Sequence, residues 1–132
     1  MAITKNYNRQ ALAVAMVSIS LAAFADGAVQ PAIELPGGAI VVGGSAYVTT
    51  PFDAETTATL KVGDSVDDDR YTATALNIKT AGGKPLVPTG YEMPAIGDLI
   101  VTYASTGAAA TEGELILVVE YIDVGKSDWT QG

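Results

Sequence analysis

Beyond Asp26-Gly27 no stretch of this chain sustains a helical period; apolar residues recur instead at every second position in short runs. Residues 56–62 (TTATLKV) show it most cleanly, with Ala58, Leu60 and Val62 on one side and Thr57, Thr59 and Lys61 on the other. A β-strand turns successive side chains to opposite faces, so this pattern is a strand with one face on a core. Residues 98–104 (DLIVTYA) and 114–122 (ELILVVEYI) give the strongest strand signals. The second is apolar on both faces, as a central sandwich strand would be.

Turn residues punctuate these runs. Residues 28–35 (AVQPAIEL) alternate Val29, Ile33 and Leu35, and Pro31 points to an edge position or a bulge. Pro36-Gly37-Gly38 reads as a turn. Residues 39–42 and 45–50 form a strand interrupted by Gly43-Gly44, a pair that marks a bulge or a bend where one strand passes between two sheets. Residues 63–69 read as a polar acidic loop, 71–80 (YTATALNIKT) as a further strand with mixed faces, and 81–83 with 85–94 as irregular. Seven or eight short strands in 132 residues predict an all-β fold, an antiparallel β-sandwich of jelly-roll type.

The first residues differ from the rest. Residues 11–25 (ALAVAMVSISLAAFA) hold no charge, follow Lys5 and Arg9, and end in a small-x-small pattern that imitates a secretory leader. A membrane span needs about 20 apolar residues, more than this segment offers. Ala15, Val17, Ile19 and Leu21 share one uniformly apolar side, so residues 15–21 are expected to be a half-buried strand of the fold, with a helix over 10–17 as the alternative. The organisation expected is an N-terminal arm and first strand (1–27), a sandwich domain (28–124) and a short tail (125–132) that projects from it.

Composition narrows the chemistry. With no Cys and no His there is no disulfide, thiolate nucleophile, Ser-His triad, or His or thiolate metal site. A net charge of −8 with seven scattered cations opposes nucleic acid and anionic membranes as partners. Counted from Asp64 as an EF-hand, Val66, Asp69 and Ala75 occupy the third, sixth and twelfth positions; the match fails, and Asp64, Asp67, Asp68 and Asp69 read as a solvated acidic loop, with a loose divalent-cation site as the alternative. Glu112, Glu114 and Glu120 lie near one another, but Tyr103 and Tyr121, which could stack on a sugar, read more simply as inward or interface strand tyrosines than as a glycosidase platform, and the Gly pairs are followed by no Lys-Ser/Thr of a phosphate loop. No catalytic residue, cofactor or metal site is expected.

What remains is interface. The first ten residues contain Lys5 and Arg9 and no acid, against an acidic body. The tail GKSDWTQG is polar except for Trp129, and a lone Trp in such a setting anchors onto something. Tyr7, Arg9 and Trp129 are therefore the candidate partner contacts.

Between Gln30 and Tyr71 the sequence resembles the small decoration, or cement, proteins on the heads of tailed bacteriophages. The resemblance rests on Pro31-Ala32, Leu35-Pro36-Gly37-Gly38-Ala39-Ile40-Val41, Gly43-Gly44, Tyr47-Val48-Thr49-Thr50, Phe52-Asp53, Thr57-Ala58-Thr59-Leu60, Val62-Gly63-Asp64 and Arg70-Tyr71. Pro88-Thr89-Gly90-Tyr91, Ile100-Val101-Thr102-Tyr103 and Val118-Val119-Glu120-Tyr121 extend it. It implies a non-enzymatic β-sandwich, made in the host cytoplasm, that sits on the outer capsid surface as a homotrimer and clamps neighbouring major capsid protein subunits. A carbohydrate- or receptor-binding sandwich on a fibre, tail or bacterial surface is the alternative; a secreted pilin-like protein, which requires cleavage after Ala25, is a third.

Overall fold

The computed structural model describes residues 2–131 and contains ten strands and one short 3-10 helix. The strands are β1 (Asn8–Arg9), β2 (Ala13–Ser20), β3 (Val29–Leu35), β4 (Ala39–Thr50), β5 (Thr57–Gly63), β6 (Leu76–Asn77), β7 (Gly82–Pro85), β8 (Gly97–Thr106), β9 (Glu114–Asp123) and β10 (Trp129–Thr130); the 3-10 helix η1 (Leu21–Asp26) follows β2. Two four-stranded antiparallel sheets, in the orders β2-β9-β4-β7 and β3-β8-β5-β6, make the body. The pairs β2·β9, β3·β8, β4·β7 and β5·β6 nest inside one another, so the chain is one long hairpin rolled over itself. That is a jelly roll, the sandwich expected from the sequence.

The alternation seen in the sequence becomes the core. Ala58, Leu60 and Val62 of β5 and Leu99 and Val101 of β8 are buried against Val41, Ala46 and Val48 of β4 and Leu115, Leu117 and Val119 of β9. Together with Phe52, Tyr71 and Ile78, they form one continuous apolar cluster. The inward parity of β4 changes from odd (Ala39, Val41) to even (Ala46, Val48), and the register shifts between Val41 and Gly43. Gly44 has φ +132°, and a Cβ there would lie 2.2 Å from the Val118 carbonyl oxygen, so only glycine fits this bulge. The strand does not pass between sheets, as the sequence had allowed; it pairs with β9 along its length.

Two further expectations are corrected. Residues 71–80 are not one strand: only Leu76–Asn77 pairs in the sheet, while Tyr71 is buried in a turn, donating its N–H to Val62 O and accepting at its carbonyl from Val87. Its mixed faces reflect hydrogen bonds drawn from several segments. The stretch containing Gly82 and Gly83 is not irregular but forms β7, paired with Ser45–Val48, because Gly83 leaves room for the Tyr47 ring; an added Cβ would lie 3.2 Å from that ring. The tail is paired with the N-terminal arm: β10 and β1 form a two-stranded sheet of their own. The first strand stands much as expected, with the even-numbered residues of β2 exposed, and the helical alternative over 10–17 does not form.

Candidate interface at the chain termini

The strand β9 ends at Asp123, and the chain turns through Lys126 back toward the N-terminal arm. The side chain of Gln10 fastens the two. Its Nε2 donates to the carbonyls of Asp123 (2.6 Å) and Lys126 (3.1 Å), and its Oε1 accepts from the Asp123 N–H (2.8 Å). Asp128 adds a second tie, its Oδ2 accepting from the Ala11 N–H at 2.8 Å while Lys126 lies 3.5 Å from its other oxygen. With these fixed, Arg9 lies opposite Trp129 and Asn8 opposite Thr130. The Asp128 N–H donates to Arg9 O (2.7 Å) and the Gln131 N–H to Tyr7 O (2.6 Å).

This ladder brings Tyr7, Arg9 and Trp129, far apart in sequence, into one strip. Tyr7 is 58% exposed and Trp129 51%. The Arg9 guanidinium donates to the carbonyls of Asn6 (3.2 Å) and Asn8 (2.9 Å), and among the described residues it makes no ion pair. The strip thus presents two exposed aromatic side chains beside a guanidinium that pairs with no carboxylate among the described residues. The sequence named these three residues but missed Gln10, whose role depends on backbone groups more than a hundred positions away.

The acidic loop is built differently from the solvated loop expected. Asp64 is buried, and its carboxylate accepts from the N–H groups of Val66 (3.0 Å) and Asp67 (2.9 Å) and from Arg70 Nε (2.6 Å) and a terminal guanidinium nitrogen (3.3 Å). Arg70 in turn lies 3.6 Å over the Tyr91 ring. Burial pushes the Asp64 carboxyl up, but Arg70 and the two N–H groups outweigh it and hold it below its ordinary value. Asp64 is thus a structural ion-pair partner. Asp67, Asp68 and Asp69 lie close together at the surface, and the Asp69 carboxyl is raised by its neighbour Asp67.

At one end of the sandwich, η1 covers a shallow apolar cavity of about 460 Å³ lined by Leu21, Phe24, Tyr103 and Ala110, where Phe24 stacks on Tyr103 at 4.9 Å. The exposed tyrosines, Tyr7 and Tyr47, do not line it.

The described chain is thus a jelly-roll body with a pinned terminal strip that carries two exposed aromatic side chains. No family model matches the chain, and no curated protein matches it. Solved structures do. A chain in the capsid asymmetric unit of cyanophage Pam1 superposes with a TM-score of 0.65 at 21% identity, over 92% of this chain and 90% of that one. A chain in the acidic stable capsid structure of Helicobacter pylori bacteriophage KHP30 superposes with a TM-score of 0.55 at 18% identity, over 89% of this chain and 95% of that one. At these identities the likeness is one of fold.

Proposed function

We propose that this chain is a non-enzymatic structural protein of a phage head, a decoration protein. It binds major capsid protein subunits on the outer surface as a homotrimer and stabilises the shell. The observation that carries the reading is the likeness to chains from two phage capsids, which spans about nine-tenths of each partner. The architecture supports it: a clamp works by adding buried interface across subunit junctions, and Gln10 ties the contact strip to the end of β9. Tyr7, Arg9 and Trp129 are the contacts, with Arg9 meeting a carboxylate.

The test is made on particles. Heads lacking this protein should lose resistance to heat and low salt, and adding the purified chain should restore it. Trp129→Ala should lower occupancy on the heads with little change in the melting temperature of the free protein, since an exposed side chain away from the core contributes about 0.5 kcal/mol or less to folding. Heads equally resistant with and without the protein would remove the stabilising role.

A further inference from the structure

Four strands lie at the edges of the two four-stranded sheets, and three of them are blunted. The strand β6 has two residues; β7 has four, with two glycines and a proline. The strand β3 carries Pro31, and the Tyr103 N–H to Ala28 O bond sets a register in which Pro31, with no N–H, faces the open side. The strand β2 has none of these devices: eight residues, AVAMVSIS, with no charge, no proline and no register shift.

The register tells which of its groups are open. The Leu21 N–H donates to Gly113 O, and the pairing continues unbroken to Ala13 opposite Tyr121. Bonded positions alternate in an antiparallel ladder, so Ala13, Ala15, Val17 and Ile19 bond to β9. Val14, Met16 and Ser18 then turn their N–H and C=O groups to the open edge, and among the described residues these groups have no other backbone or side-chain partner, whereas Ser20 caps η1. The same residues carry exposed side chains, Val14 at 53% and Met16 at 69%.

We propose that β2 pairs with β2 of a second copy, antiparallel about a two-fold axis at Met16, joining two four-stranded sheets into one of eight. Three features select a copy of this chain as the occupant. The open groups fall on even-numbered residues in both copies, so Val14 meets Ser18 and Met16 meets Met16 with every ladder bond made. The whole chain carries a net −8, whereas residues 11–25 hold no charge, so this edge is where two like-charged copies approach with least repulsion. Pairing also places Met16 of each copy beside the other, in continuity with Val118 and Ile116 on the outer face of β9. A two-fold pairing uses both edges and stops there, where an unpaired apolar edge would invite open-ended association. The contact goes beyond the head-surface role: on a shell of trimers it joins one trimer to the next.

The chain has no cysteine, so a single introduced thiol reports the contact. Met16→Cys under mild oxidation should give a disulfide dimer on a non-reducing denaturing gel. Its rate should exceed that of Val66→Cys, an 83% exposed loop position, by at least about tenfold, because pairing holds the two thiols at high effective concentration. Ser18→Pro removes an N–H that has no partner within the chain, and it should shift the protein to the smaller species in sedimentation while melting as the parent does. Met16→Cys crosslinking no faster than Val66→Cys overturns the proposal, as does undiminished association of a folded Ser18→Pro protein. Either failure with binding to heads intact leaves the decoration role standing, and loss of head binding with crosslinking intact does the reverse.

Discussion

Replacing Gln10 by Ala should release the terminal strip without unfolding the sandwich. The residue makes three hydrogen bonds, to Asp123 O, Lys126 O and the Asp123 N–H. At about 1 kcal/mol net for each, with the Asp123 N–H left unsatisfied, the loss is roughly 2–3 kcal/mol. The ladder it supports has little to spare: β1 and β10 are two residues each, against an ordering cost of about 1 kcal/mol or more per residue. A loss of that size raises the population of the opened termini roughly 30- to 150-fold. Amide hydrogen exchange reads this directly, since the N–H groups of Asp128 and Gln131 are bonded only across the ladder. Their protection should fall by that factor, while the amides of Leu115, Leu117 and Val119, in the buried centre of β9, keep theirs. Unchanged protection at Asp128 and Gln131 in the variant would refute the reasoning, because the strip would then be held by something other than Gln10.

Two further predictions concern the body. In Gly113→Ala the new Cβ would lie 2.4 Å from two ring carbons of the fully buried Phe52, so overpacking should cost about 3 kcal/mol and roughly 10 °C in melting temperature; Phe52→Leu in the same chain should recover part of the loss in a thermal scan. The Asp64 carboxyl is held below its ordinary 3.8, so its contribution is complete above the unfolded-state value and is lost as pH falls through the folded one. Asp64→Asn should therefore be less stable than the parent at pH 7 yet lose less on acidification below about pH 4, as read from urea midpoints; parallel acid limbs would count against the ion pair with Arg70.

The sequence carried the strands of the body because the period of two is local: Ala58, Leu60 and Val62 declare their face without reference to any partner. It misread two stretches where the local signal and the use diverge. Gly82 and Gly83 read as irregular chain, yet glycine is what lets β7 lie under Tyr47. Residues 71–80 look like a strand, yet Tyr71 is held in a turn by Val62 and Val87. For the candidate site, the residue types of Tyr7, Arg9 and Trp129 were legible as an arm and an anchor, but their meeting was not, since nothing in the first ten residues encodes the approach of the last five.

By itself, then, the amino-acid order determined an all-β sandwich free of cysteine and histidine chemistry, with a neutral segment between a basic start and an acidic body. Which strands became neighbours, which edge stayed open and where the termini met were decided only by the tertiary structure. Alternation fixes the face of each strand within a few residues, whereas pairing is set by contacts tens of residues distant, as in Arg9 opposite Trp129 and the open groups of β2 beyond β9.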